Sequence, residues 1–276
     1  MSPSLCSLVI FKDIERLERH SLLTSGGGAE AVHSPHDEGV IVPIVPPASP
    51  TRLALIGAGR IGSHHAAAIA HDVHAAHLAA VVDPRIDTAT TLAERLGARA
   101  EADASGVLAD PDIDAIVVTT PAALHRDLIV EAAAAGKHVF AEKPITTDLV
   151  EADECVVAAR RAGVVLQIGF NRRFAPGFVA ARTAVDDGRI GTPQLLRSLT
   201  RDPGPYGGDP DKTPQWTIFL ETLIHDFDTL RWLNPGSEVV EVTAHADALI
   251  RPDAREAGFL DTAVVTLRFD NGAFAT

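Results

Sequence analysis

Between residues 53 and 62 an apolar run stops abruptly in glycine: Leu53-Ala54-Leu55-Ile56 is followed by Gly57-Ala58-Gly59-Arg60-Ile61-Gly62. Four consecutive apolar residues bounded by glycine read as a strand buried on both faces of a parallel sheet. The Gly-x-Gly-x-x-Gly spacing predicts a tight turn that opens a helix over 60–70. In such a turn Gly57 permits the sharp bend, Gly59 lets a phosphate approach the backbone, and Gly62 lets helix and strand pack closely. The N–H groups at the helix start then face the anion. Three spaced glycines alone fit an ordinary strand-turn-helix equally well. The next apolar stretch, 78–82, separates the readings, because it ends in Asp83, roughly twenty residues past the last glycine, where a carboxylate accepts hydrogen bonds from a dinucleotide's ribose hydroxyls.

A chain of 276 residues with 46% hydrophobic content holds two domains with real cores. Its formal net charge of -13 repels a phosphate backbone, so nucleic acid is not an expected partner. Cys6 and Cys155 are the two cysteines; a disulfide framework is not expected, and a reducing cytoplasm fits. No apolar run approaches the roughly eighteen residues of a membrane span, so a soluble protein is expected. Residues 1–50 differ from the rest: Gly26-Gly27-Gly28 and Pro43, Pro46, Pro47 and Pro50 punctuate a segment without sustained periodicity. Apart from one short helix over 10–23, it reads as a disordered leader or an artefact of where translation was taken to begin, and no function is assigned to it.

From Arg52 onward strands and helices alternate, which predicts a doubly wound parallel sheet with helices on both faces. The expected strands are 53–56, 78–82, 115–118, 138–141 and 164–168; the helices between them include 87–96, 124–135 and 149–162. Gly97, Gly136 and Gly163 sit just past those helices as left-handed caps. Thr119 and Thr120 follow the third strand at a carboxyl edge, where such sheets bind ligands, with hydroxyls available to a cofactor. His125 lies near the start of the next helix, as a lining for a nicotinamide pocket or as an ordinary buried or surface histidine. His64, His65, His71, His74 and His77 invite a metal reading, but no carboxylate or cysteine completes a ligand set, so no metal is expected. Ala141-Glu142-Lys143-Pro144 ends the strand 138–141. A lysine there lies close to a cofactor ring, where its ammonium can stabilise charge on a reacting oxygen.

A second chemical stretch, 217–233, repeats Leu220, Leu223, Ile224, Phe227 and Leu230 at helical spacing. Glu221, His225 and Asp228 form a separate polar stripe, four and then three residues apart. Two readings stay open: a histidine base oriented by a carboxylate, or an amphipathic helix with a solvated acidic face.

Taken together, Gly57–Gly62, Ala141-Glu142-Lys143-Pro144, Gly169-Phe170-Asn171-Arg172-Arg173-Phe174 and Ile224-His225-Asp226-Phe227-Asp228 resemble the glucose-fructose oxidoreductase, inositol dehydrogenase and MocA family (Gfo/Idh/MocA) from about Arg52 onward. The resemblance implies a Rossmann domain over 51–169, then over 170–276 an α+β substrate-binding and oligomerisation domain. The second domain has an open, mostly antiparallel sheet with strands at 194–201, 238–248 and 262–269. It implies catalytic roles for Lys143 and His225, with Glu221 beside the histidine, and Asn171 and Arg172 joining these three in substrate binding. Gly57, Ala58, Gly59, Arg60, Ile61, Gly62, Asp83, Arg85, Thr119, Thr120, His125, Glu142 and Lys143 would hold NAD. Asp83 disfavours a 2′-phosphate, but Arg85 offsets that in part, so NADP is the fallback. The implied activity is NAD-dependent oxidation of a secondary hydroxyl of a cyclic polyol, an inositol first of all, by a homo-oligomer. The alternatives are another sugar, NAD-assisted lyase or glycosidase chemistry, or a non-catalytic NAD-binding protein.

Three departures stand out. Glu221 occupies the place where inositol dehydrogenases usually carry aspartate; Pro214-Gln215-Trp216-Thr217 replaces a common glycine pair; and the sheet is expected to continue past Thr276 in full-length members.

Overall fold

The computed structural model describes residues 49–202 and 216–276. Residues 1–48 of the expected leader and residues 203–215 of the atypical loop lie outside the described residues. The chain divides into two compact units, the first ending at Gly169 and the second running from Phe170 to Thr276.

In the first unit, strands β1 (Thr51–Ile56), β2 (Ala76–Val82), β3 (Arg99–Glu101), β4 (Ala115–Val118), β5 (His138–Ala141) and β6 (Leu166–Ile168) form one parallel sheet in the order β3-β2-β1-β4-β5-β6. Helices α1 (Arg60–His71), α2 (Ile86–Leu96), α3 (Ser105–Ala109), α4 (His125–Ala134) and α5 (Leu149–Ala162) connect them. This is the doubly wound Rossmann arrangement.

The apolar runs are continuous because alternate residues enter two different cores. Leu53, Leu55, Val81, Val117 and Phe140 face one side, with Ala66 and Ile69 of α1 and Leu92 of α2. Ala54, Ile56, Val82, Ile116, Val118 and Val139 face the other, with Ile129 of α4 and Cys155 of α5. Burying each large aliphatic contributes about 1.5–3 kcal/mol, so every second position along these strands is fixed from both faces. Gly97, Gly136 and Gly163 all take positive φ, as their cap positions require. Asp148 caps α5 by accepting from the Val150 and Glu151 N–H groups. Two elements were not foreseen: β3 is short and half-exposed, and α3 is a single turn with one buried residue, Val107.

In the second unit, α6 (Pro176–Asp186) and α7 (Ile224–Trp232) accompany a four-stranded sheet of β7 (Leu195–Leu196), β8 (Val239–Asp247), β9 (Thr262–Phe269) and β10 (Phe274–Ala275), ordered β7-β10-β9-β8. β8 and β10 flank β9 antiparallel, while β7 joins β10 in parallel. Leu267, Phe269 and Ala275 pack with Leu230 of α7, and Phe227 and Val265 close the cluster. The strand expected over 194–201 shrinks to two residues, although the Ser198 N–H still donates to the Thr276 carbonyl (2.8 Å). Among the described residues, no helix is long and apolar enough to cross a membrane.

Candidate active site

The site on the first unit follows from register. Ile56 pairs with Val118, and Val118 pairs with Ala141. The glycine turn, Thr119-Thr120 and Glu142-Lys143 therefore leave adjacent strands at one carboxyl edge. Sheet order reverses between β1 and β4, which is where doubly wound folds take ligands.

Gly57 has φ 103°, and a Cβ there would lie 2.8 Å from the Thr119 carbonyl carbon. At Gly62 a Cβ would sit 1.8 Å from the Gly57 carbonyl oxygen. Both positions admit hydrogen only. Gly59 differs, since nothing lies within 4 Å of where its Cβ would be. The protein leaves open space there, the space a pyrophosphate needs. The Gly57 N–H donates to the Val82 carbonyl (2.8 Å) and the Ala58 N–H to Asp83 Oδ2 (3.0 Å). The first N–H groups of α1, from Arg60 and Ile61 onward, have no carbonyl within the helix to receive them.

Asp83 is only 5% exposed. Besides Ala58 it accepts from the Arg85 N–H (2.9 Å), and Arg85 Nε lies 3.4 Å away. A carboxylate offers about four acceptor positions, so one remains for a ribose hydroxyl. The sequence pointed to the ribose and missed that the same side chain ties the glycine turn to β2. The two threonines divide. Thr119 Oγ1 lies 2.8 Å from the Gly57 carbonyl and 3.1 Å from that of Ile56, so its hydroxyl braces the turn. Thr120 Oγ1 is buried and, among the described residues, has no hydrogen-bond partner. A buried orphan hydroxyl beside an open glycine turn fits a polar ligand such as NAD.

His125 is buried. Its ring is 1% exposed, with Nδ1 2.9 Å from the Pro144 carbonyl and Nε2 2.9 Å from the Thr120 carbonyl. Both partners are acceptors, so a neutral ring donates to one of them and the tautomer decides which. Glu142 is also committed inside the unit: His65 Nε2 donates to Oε1 (2.8 Å) and the Lys143 N–H to Oε2 (3.1 Å). Burial disfavours its charge, but the His65 hydrogen bond and charge, with the Lys143 N–H, outweigh that and hold the carboxyl below the usual range. Lys143 itself is half-buried and precedes a cis proline. Among the described residues, no group of three or more His, Cys, Asp or Glu side chains is placed to hold a metal.

The second unit carries His225 and Glu221. The expected continuous α-helix is broken: Ile218–Leu223 is a π-helical turn, and α7 begins only at Ile224. Glu221 lies in the π turn, exposed, and His225 in the α turn, half-buried, so their four-residue separation spans a change of helical register. Such turns concentrate at functional sites. The His225 ring meets Phe170 edge-on, with centroids 6.4 Å apart.

What holds α7 is Asp226, which sequence reading passed over. It is 5% exposed and accepts from Arg172 Nη1 (2.7 Å), Thr200 Oγ1 (2.7 Å) and Ser198 Oγ. Arg172, expected at the substrate, is engaged with Asp226 and Thr200. Asp228, the third residue of the expected polar stripe, receives Arg173 Nε (2.9 Å). The signal for these pairs was two arginines and two aspartates far apart in the chain, with no spacing rule to join them.

Burial disfavours the Asp226 charge, but Ser198, Thr200 and Arg172 outweigh it and hold the carboxyl below its ordinary value. A carboxyl depressed by folding stabilises above its unfolded pKa, and that contribution is lost as pH falls through the folded value. Asp226→Asn is therefore expected to lower the melting temperature at neutral pH, by about 2 kcal/mol of stability. It should also flatten the acid-side fall below about pH 4, read by calorimetry across pH. An unchanged pH dependence would remove Asp226 from the acid response.

Comparison with known proteins agrees with this geometry. Residues 51–170 match the model described as oxidoreductase family, NAD-binding Rossmann fold, and residues 178–276 match the GFO/IDH/MocA C-terminal domain. The chain belongs to the Gfo/Idh/MocA oxidoreductase family. It is 40% identical over 223 residues to myo-inositol 2-dehydrogenase of Thermotoga maritima, covering 80% of this chain and 66% of that one. It is 37% identical to scyllo-inositol 2-dehydrogenase (NAD(+)) of Bacillus subtilis, covering 80% and 65%. The structure of scyllo-inositol dehydrogenase from Lactobacillus casei with bound NAD(H) and scyllo-inositol superposes with a TM-score of 0.73 at 29% identity, covering 82% and 68%. The chain thus spans just under two thirds of the length of the two curated relatives.

Proposed function

We infer that this chain carries an NAD-dependent dehydrogenase that oxidises a secondary hydroxyl of a cyclic polyol, with an inositol as the leading substrate. The observation that carries the reading is the strand register, which brings the open glycine turn, the orphan Thr120 hydroxyl and Lys143 to one carboxyl edge. The names of the two inositol dehydrogenases above support the substrate class.

In this reading Lys143 holds the substrate oxygen as it gains negative charge. His225 accepts the hydroxyl proton as general base, and Glu221 orients it. NAD, when bound, supplies the acceptor for the hydride leaving the carbon. The products are a ketone, the reduced cofactor and a proton. Asn171, exposed at the start of a short 3-10 turn, is assigned to substrate hydroxyls, and Arg172 to holding the helix of His225. A reducing cytoplasm is the assigned location, consistent with a free, buried Cys155. A homo-oligomer is the assigned assembly, on family resemblance.

The test is a panel of inositols and sugars assayed for reduced cofactor at 340 nm. myo- or scyllo-Inositol should produce NADH, with kcat/KM for NAD at least about tenfold above that for NADP, because Asp83 meets a 2′-phosphate with like charge. Equal use of NADP would overturn the role of Asp83. Bound NAD with no net NADH from any polyol would favour internal-redox lyase chemistry or a regulatory role.

A further inference from the structure

The two residues flanking Lys143 are each held by a buried histidine from a different helix. On one side His65, on α1 and 4% exposed, donates Nε2–H to Glu142 Oε1 at 2.8 Å, while Glu142 Oε2 receives the Lys143 N–H at 3.1 Å. An ionised carboxylate only accepts, so the hydrogen on this contact belongs to Nε2. Phe140 fixes the ring, edge-on with centroids 5.4 Å apart, and Gly169 leaves the carboxylate room: a Cβ there would lie 3.2 Å from Oε1. On the other side His125, on α4, places Nδ1 2.9 Å from the Pro144 carbonyl and Nε2 2.9 Å from the Thr120 carbonyl; both are acceptors, and it is the tautomer with its hydrogen on Nδ1 that donates to Pro144. One histidine reaches the loop through a side chain and the other grips its main chain.

We propose that His65 and His125 are positioning residues that clamp the backbone on both sides of Lys143, His65 by way of the Glu142 carboxylate and His125 directly on the Pro144 carbonyl. Both rings act through the chain on either side of Lys143. Their effect is to fix where the lysine stem leaves the sheet edge, and a small misplacement of a catalytic group is costly in rate. The proposal rests on the assignment of Lys143 as the catalytic lysine.

The geometry makes an asymmetric demand that a merely space-filling histidine does not. A glutamine amide nitrogen falls near the position of histidine Nε2, and an asparagine amide nitrogen near that of Nδ1. At residue 65 the working nitrogen is Nε2, so His65→Gln should preserve the clamp and His65→Asn should break it. At residue 125 the nitrogen facing the loop of Lys143 is Nδ1, so His125→Asn should be the better replacement and His125→Gln the worse.

The experiment is hydrogen–deuterium exchange of the full chain, reading the peptide that spans 139–146. It is paired with kcat on the polyol that the panel identifies and with NAD affinity by calorimetry. In the two clamp-breaking variants exchange in that peptide should rise about tenfold or more. Turnover should fall about tenfold, with NAD affinity within about threefold of the parent. The two clamp-preserving variants should stay within about threefold on all three readouts. Equal behaviour of asparagine and glutamine at both positions, or a shared preference for the same amide, would overturn the clamp. Should the parent chain oxidise no polyol, the exchange pattern still decides the clamp, so failure of the functional reading is seen separately.

Discussion

His225→Ala is expected to lower turnover about a hundredfold or more and to leave NAD affinity within about threefold, because the proposed base is lost while the glycine turn lies in the other unit. Lys143→Ala should cost a similar factor, since it removes the charge proposed to hold the substrate oxygen. Initial rates of NADH formation with saturating polyol, together with calorimetric NAD titration, separate loss of chemistry from loss of binding. Glu221→Gln should have the smaller effect of the three, because a π turn intervenes between its backbone and that of His225. A His225→Ala enzyme that keeps more than about a tenth of the parental rate would remove His225 from the role of base.

The second large effect concerns two glycines three residues apart. In Gly62→Ala the new methyl would stand 1.8 Å from the Gly57 carbonyl oxygen and 2.8 Å from Thr119 Oγ1. A backbone oxygen cannot swing aside, so α1 must move off β1 or the turn must open. A loss of about 3 kcal/mol or more in stability is expected, with NAD binding lost alongside it. Gly59→Ala is the contrast. Gly59 has φ -70°, which any residue adopts, and nothing lies within 4 Å of its Cβ position. The melting temperature should therefore shift by no more than about 2 °C. NAD affinity should still drop about tenfold or more, because the methyl enters the space through which the phosphates approach. Thermal melts and NAD titrations of the two variants check both halves. A Gly59→Ala protein with parental NAD affinity would mean that the open space is not the cofactor's.

The strands best read from sequence were those whose neighbours bury both faces. Ala115–Val118 and His138–Ala141 were foreseen residue for residue, because the four apolar residues of the first and the run Val139-Phe140-Ala141 of the second are buried from both faces of the sheet. β3, with charged Arg99 and Glu101 at the sheet edge, carries no such pattern, and β10 is two residues long. The π turn at Ile218–Leu223 was invisible for a different reason, since its apolar spacing is compatible with an ordinary α-helix.

The site divides in the same way. The positions of Gly57, Gly59, Gly62, Asp83 and Lys143 were legible because they are set by local chain geometry or by the strand they end. The contacts of His65 with Glu142, 77 residues on, and of Arg172 with Asp226, 54 residues on, exist only once the units have folded. His125 shows the limit most clearly. Its place at the start of α4 followed from the sequence, but the direction of its ring was decided by two carbonyls from loops on either side.

The central claim is tested most directly by following the hydrogen on the reacting carbon. An inositol deuterated at the oxidised carbon, incubated with this chain and NAD, should yield the ketone and NADH in equal amounts, with the NADH heavier by one deuterium in mass spectrometry. Oxidised product with unlabelled NADH, or deuterium released to solvent with NAD unchanged, would contradict hydride transfer from a polyol hydroxyl carbon to the cofactor.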